Sequence, residues 1–159
     1  MKKILLFLCA ALLLFPACKR EIAVNGSLSD TVLRIQNAIE SEEAFVLADT
    51  DFTADNLGYP PYLEEAQVCF GTGEKTREFG IFRLTDRSKA AEFKQSVESY
   101  LKTEREALHA LSALYPAEEL EERLSLYDNA TVGSEGMLVY YFVLDKKETQ
   151  KALEALTGR

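Results

Sequence analysis

The chain has one histidine, His109, and three cysteines, at positions 9, 18 and 69. Zinc sites are built from Cys and His clusters, and here there is neither a Cys pair at finger spacing nor a second His. Nucleophilic catalysis needs an oriented base beside a Ser, Cys or Thr, and no Gly-x-Ser-x-Gly elbow occurs. His109, between Leu108 and Ala110, reads as a surface or boundary residue. Basic residues are scarce as well, with 18 Lys and Arg against 26 Asp and Glu and a formal net charge of −8. Nucleic-acid binding depends on Lys and Arg neutralising phosphates, so no nucleic-acid partner is expected, and the acidic balance reads as a solvated surface. Gly71-Thr72-Gly73 lacks the further Gly and Lys-Ser/Thr of a phosphate loop. Asp49-Thr50-Asp51 with Asp55 lacks the Gly and bidentate Glu of a calcium loop. No metal and no cofactor are expected.

Long apolar runs are missing too. The stretch Ile4–Phe15 has twelve residues, about 18 Å as a helix, against a hydrocarbon core about 30 Å thick. That length fits the apolar region of a signal peptide, with Met1-Lys2-Lys3 as its basic start and Ala17 as the small residue at the cut. The sequence Phe15-Pro16-Ala17-Cys18 resembles a lipobox, although Phe15 and Pro16 stand where a Leu and a small residue are usual. The resemblance implies cleavage between Ala17 and Cys18 and lipid attachment to the Cys18 thiol. Two or three acyl chains, at about 0.8 kcal/mol per buried CH₂, hold a protein firmly on a bilayer. The alternatives are an ordinary secretory signal cut after Ala17, with Cys18 a plain thiol, or an uncleaved anchor, which the short length disfavours.

This reading divides the chain into a signal at 1–17, a tether at 18–28 and a single domain at 29–159. Cleavage removes Lys2 and Lys3, so the 18 basic residues fall to 16 against 26 acidic ones and the net charge drops to about −10. With Cys9 discarded and Cys18 alkylated, Cys69 is the one thiol left, so no intramolecular disulfide can form. Its apolar setting, Gln67-Val68-Cys69-Phe70, predicts a buried, inert side chain.

Hydropathy periodicity predicts the elements of the domain. Val32, Ile35, Ala38 and Ile39 recur at helical spacing in a helix over 30–40, capped by Ser27 or Ser29. Thr53 to Leu57 reads as a helical turn ending at Gly58, and Tyr59-Pro60-Pro61-Tyr62 forces an extended connector. Strands at 65–71 and 77–84 flank a turn at 72–75. Thr85 or Asp86 caps a long helix to about Leu114, whose apolar face is Phe93, Val97, Tyr100, Leu101, Leu108, Leu111 and Tyr115. Pro116 opens a short helix over 117–124. A second hairpin has strands at 125–132 and 137–144 around a turn at 133–136, and Asp145 caps a final helix over 146–156, closed by Gly158. The expected fold class is α+β. Two β-hairpin–helix units form a four-stranded antiparallel sheet with helices packed on one face, plus an N-terminal helix. Val139 to Leu144 is apolar at every position, which predicts a strand buried on both faces, the second covered by residues 28–57. Asp86 and Asp145 hold corresponding places in the two units, as in a duplication or two instances of a common motif.

The strand Phe79-Gly80-Ile81-Phe82-Arg83-Leu84, the helix opening Arg87-Ser88-Lys89-Ala90-Ala91-Glu92-Phe93, the Tyr115-Pro116-Ala117-Glu118-Glu119 turn and the strand Val139–Leu144 follow a lipoprotein signal. Together they resemble the bacterial lipoprotein family catalogued as domain of unknown function 4358, over about residues 30–157. The resemblance implies an exported lipoprotein with an α+β domain, and it implies no activity and no site residues.

Among candidate functional groups, Glu118, Glu119, Glu121 and Glu122 read as a solvated helix face. Glu104, beside the apolar stripe between Leu101 and Leu108, reads as an edge position or a buried functional carboxylate. Tyr59, Pro60, Pro61 and Tyr62 form a cluster suited to stacking on a sugar or gripping a peptide, or to bracing the sheet as a rigid connector. Asn129-Ala130-Thr131 matches a glycosylation acceptor by accident of sequence. The expectation is a non-catalytic binding or interaction module, held at the outer face of the bacterial cytoplasmic membrane and recognising a protein or cell-envelope ligand. The alternative is a carboxylate-based hydrolase of cell-wall material, which requires two carboxyls about 5–10 Å apart with one shielded from water.

Overall fold

The computed structural model describes residues 26–39, 44–73, 77–115 and 118–158. The signal at 1–17, Cys18 and most of the tether lie outside them.

Helix α1, Leu28–Ile39, buries Leu28, Val32, Ile35 and Ile39, one helical stripe, and the Ser27 hydroxyl caps it by accepting from the Asp30 N–H at 3.2 Å. Strand β1, Phe45–Leu47, precedes helix α2, Thr50–Leu57, capped by Asp49. Strands β2, Leu63–Gly71, and β3, Glu78–Leu84, form the first hairpin. A single 3-10 turn at Arg87–Lys89, capped by Asp86, leads into α3, Ala90–Leu114. Helix α4, Glu118–Asp128, strands β4, Thr131–Glu135, and β5, Leu138–Val143, and helix α5, Lys146–Thr157, complete the chain.

The fold is α+β, with an antiparallel sheet of five strands in the order β1-β2-β3-β5-β4. The strand beyond the expected four is β1, which adds to the outer edge of β2.

Two expectations change. Residues 125–128 are helical and belong to α4, and the second hairpin runs through 133–135 to turn at Gly136-Met137. Leu120, Leu124 and Tyr127 are spaced for one helix face and pack on the core. Gly133 stays in β4 because the Tyr140 ring lies over it, in the space a Cβ would fill.

The second change concerns the layers. Helices cover both faces of the sheet. Phe82, Leu84, Val139, Tyr141 and Val143 pack with α2, α3 and α4. Phe79, Ile81, Leu138, Phe142 and Leu144 pack with α1 and α5 on the opposite side. The helices that follow β3 and β5 therefore lie on opposite faces, although their caps correspond. Aligned on Asp86 and Asp145, Phe82 matches Tyr141 and Leu84 matches Val143, all facing one layer. On the other face, however, Arg83 and exposed Thr85 stand where β5 and its exit have buried Phe142 and Leu144. Beyond Ile81, where the strand leaves the sheet, only the second unit keeps apolar side chains on that face, and these draw its helix there.

An ion pair locks the α1–α5 layer to the sheet. Arg77, entering β3, pairs with Glu148 of α5, both side chains close to nine-tenths buried, and its guanidinium lies 5.5 Å from the Phe45 ring centroid. At the far end of α3, Leu111, Leu114 and Tyr115 are exposed, so the expected apolar face ends at Leu108.

Candidate functional site

Side chains alternate along a strand, so Glu78 and Gly80 share the face of Phe82 and Leu84 toward α2, α3 and α4. Glu78 is only 1% exposed and is the one fully buried carboxyl among the described residues. Gly80 opposes Tyr141 across the ladder, and a Cβ there would fall inside the Tyr141 ring. The missing side chain lets that ring lie flat over the strand, stacked on Phe82 at 6.1 Å. From α3, Tyr100 directs its hydroxyl to both Glu78 oxygens at 3.2 Å. Tyr127, in the last turn of α4, brings a second phenol to the same carboxyl. The fully buried Tyr141 hydroxyl faces it as well, without regular hydrogen-bond geometry. Four elements thus converge on one carboxyl.

Burial pushes the Glu78 carboxyl up to about 7. The Tyr127, Tyr100 and Tyr141 hydroxyls favour its charged form, while the negative charge of Glu104 adds to the rise. These neighbours are neutral donors and a second acid, and none brings positive charge. Burial, followed by the Glu78 charge, drives the Tyr100, Tyr127 and Tyr141 phenols well above their usual range, so they stay protonated.

The cluster lies between two surface depressions. A cleft of about 600 Å³ between α2 and α3 is walled by Tyr100, Glu104 and polar groups that include Asp55, Asn56, Ser99 and Thr103. A groove of about 460 Å³ along α3, α4 and β4 is lined by Tyr127, Arg105 and Asp128, the last two 3.7 Å apart. Tyr100 and Tyr127 are therefore partitions, each with Glu78 on one side and an open depression on the other. A separate pocket of about 340 Å³, near the start of α5, contains none of these groups.

The other candidates fall as follows. Glu104 is half-buried at the cleft wall. In the Tyr59–Tyr62 connector, Tyr59 is exposed, whereas Tyr62 packs on the core and donates to Glu92 at 2.9 Å, with Lys89 over its ring. Desolvation, then Glu92, raises the Tyr62 phenol. Cys69 is buried against α1, and burial pushes its thiol up to about 11. His109, Glu118, Glu121 and Glu122 are exposed. Asp49 accepts from the Asp51 N–H as a helix cap. Among the described residues no group of three or more His, Cys, Asp or Glu is arranged to hold a metal ion, and no helix is long and apolar enough to cross a membrane. Cys18 and Ala17 lie outside the described residues.

Sequence reasoning missed Glu78. The available signal was its parity with Phe82 and Leu84, which puts a carboxyl on a core-facing row. No family model, curated protein or solved structure matches the chain.

Proposed function

We propose that this chain is an exported lipoprotein, anchored through Cys18 to the outer face of the bacterial cytoplasmic membrane, whose domain binds a protein or cell-envelope ligand without turning it over. Membership of the lipoprotein family called domain of unknown function 4358 is proposed with it, on the motifs quoted above. The anchor is supported by the order of the basic start, the twelve-residue apolar run and Ala17-Cys18. The start of α1 at Leu28 leaves nine residues, 19–27, as a tether, a reach of about 30 Å when extended.

One observation carries the non-catalytic reading. The carboxyl with the perturbed acidity, Glu78, is sealed beneath tyrosines and touches nothing outside the core. A general acid must come within hydrogen-bond reach of the group it protonates.

Mass spectrometry of the N-terminal peptide from native membranes is expected to find Cys18 as the first residue, carrying two or three acyl chains. An unmodified N-terminus, with protein released to the medium, would overturn the anchor. Photo-crosslinking from Ser99, on the cleft wall, is expected to trap one discrete envelope component. A second reading, the carboxylate hydrolase, draws support from Glu104, which borders the open cleft and is electrostatically coupled to Glu78. Release of cell-wall fragments by the purified protein, abolished by Glu104→Gln, would replace the binding reading with this one.

A further inference from the structure

We propose that Glu78 is a pH-operated latch for the α3–α4 layer: its protonated form holds Tyr100 and Tyr127 closed against the sheet, and its anion releases them toward the depressions they border. The inference is independent of the lipid anchor and of any ligand.

The geometry supplies both positions of the latch. A neutral carboxyl has one O–H to donate and a carbonyl to accept with, so among three phenols it can complete a network with no net charge. The anion can only accept, and it sits at 1% exposure. Phenols can solvate it, but each is itself buried and neutral. Two charged sites lie on the far side of the partitions: Arg105, paired with Asp128 in the groove beside Tyr127, and Asp55 on the wall of the Tyr100 cleft. From α3, Glu104 repels the anion; from α4, Arg123 acts on Tyr127; β5 offers only the Tyr141 hydroxyl. On the α2 side the Phe52 ring packs edge-on against Tyr100 at 5.7 Å and carries no charge. A buried charge without a cation is relieved most directly by water. Water is one side chain away in two directions, past Tyr100 into the α2–α3 cleft and past Tyr127 into the α3–α4 groove.

The opposite layer has no such group. The α1–α5 side holds Phe79, Ile81, Phe142 and Leu144, and its buried ion pair, Arg77 with Glu148, is already compensated. The response is therefore confined to one face of the sheet. Its sign follows from the raised acidity constant. The closed state holds its proton up to about 7, whereas an opened, hydrated carboxyl returns toward 4.5. Closure is strongest below 4.5 and weakens as pH rises through 7, by on the order of a hundredfold in the closing equilibrium.

The test is amide hydrogen exchange on the full chain between pH 5 and pH 8, corrected for intrinsic exchange rates. Protection in α3 and α4 is expected to fall by ten- to a hundredfold, while α1 and α5 keep theirs. In Glu78→Gln, which keeps the shape and removes the titration, the fall disappears. A fall of equal size in both layers, persistence of the fall in Glu78→Gln, or no fall at all overturns the latch. Should Glu78→Gln not fold, Tyr127→Phe serves instead. Losing a donor to the anion is expected to move the transition to higher pH, and an unmoved midpoint is equally fatal. Carbon-13 NMR of the Glu78 carboxyl must show titration near 7, and a midpoint close to 4.5 overturns the proposal outright.

Discussion

Gly80 and Gly133 show how the absence of a side chain places an aromatic ring. Both lie opposite a tyrosine in the β5 ladder, Tyr141 and Tyr140 respectively, and at both a Cβ would overlap that ring. The surroundings decide what a methyl group would do. Tyr141 is fully buried between Phe82 and Tyr100, so its ring has nowhere to go. Gly80→Ala is expected to destabilise the fold by about 2–3 kcal/mol, the upper range for overpacking a dense core, and to disturb the Tyr127 and Tyr100 resonances with it. Tyr140 is half-buried and can swing outward, so Gly133→Ala is expected to cost less than about 1 kcal/mol. Urea unfolding of the two variants side by side checks the difference; equal losses would mean that ring burial is not the deciding factor. Cys69 gives a second check at this scale. Its thiol is buried and held up to about 11, so at pH 8 almost no thiolate forms. Peptide mapping after exposure of the native chain to a thiol reagent is expected to leave Cys69 unlabelled, with labelling appearing only in urea.

Helix ends account for much of the element-scale definition. Asp145 accepts from the Glu148 N–H at 2.7 Å, and Glu148 accepts in return from the Asp145 N–H at 3.3 Å. The Asp145 half of this reciprocal cap was legible, and Glu148 at the third helical position completes it. Asp145→Ala is expected to lower stability by about 1 kcal/mol, read as a shift in the urea midpoint. Glu148→Ala should cost more, because Glu148 also neutralises Arg77. The first hairpin, the long helix and the last helix were legible for the same reason, strong periodicity bounded by caps or turns. The stretch from Leu124 to Val132 was not. Leu124 and Leu126 alternate as a strand would, and the helical row Leu120, Leu124 and Tyr127 competes with that alternation over the same residues. Strand β1 was beyond reach because three residues acquire strand geometry only by pairing with Cys69, Phe70 and Gly71. The expectation of helices on a single face failed on one comparison, Thr85 against Leu144. The candidate site was legible at its margin, Glu104, and hidden at its centre, since nothing local distinguishes a buried Glu78 from a solvated one.

For the molecule as a whole, the two layers are unlike in chemistry as well as in membership. The α1–α5 face is apolar apart from a compensated ion pair, the buried Thr31 and the Cys69 thiol, whereas the α2–α4 face encloses an acid and three phenols. The chain contains no tryptophan and seven tyrosines, of which Tyr100, Tyr127 and Tyr141 make up the phenolic layer, so tyrosine fluorescence is read without a competing indole signal. Strand β5 is common to both layers. Leu138, Val139, Tyr141, Phe142 and Val143 are all buried, and β3 and β4 occupy both of its edges. The segment from Leu138 to Leu144 has no charge, proline or glycine, the composition that stacks readily into cross-β fibrils. The strand that unites the two cores is thus also the one whose release would be most hazardous, and its native neighbours act as guards against self-templating. A denatured pool of this chain should clump in proportion to its concentration, and a lysine placed at Tyr140 should keep it dispersed.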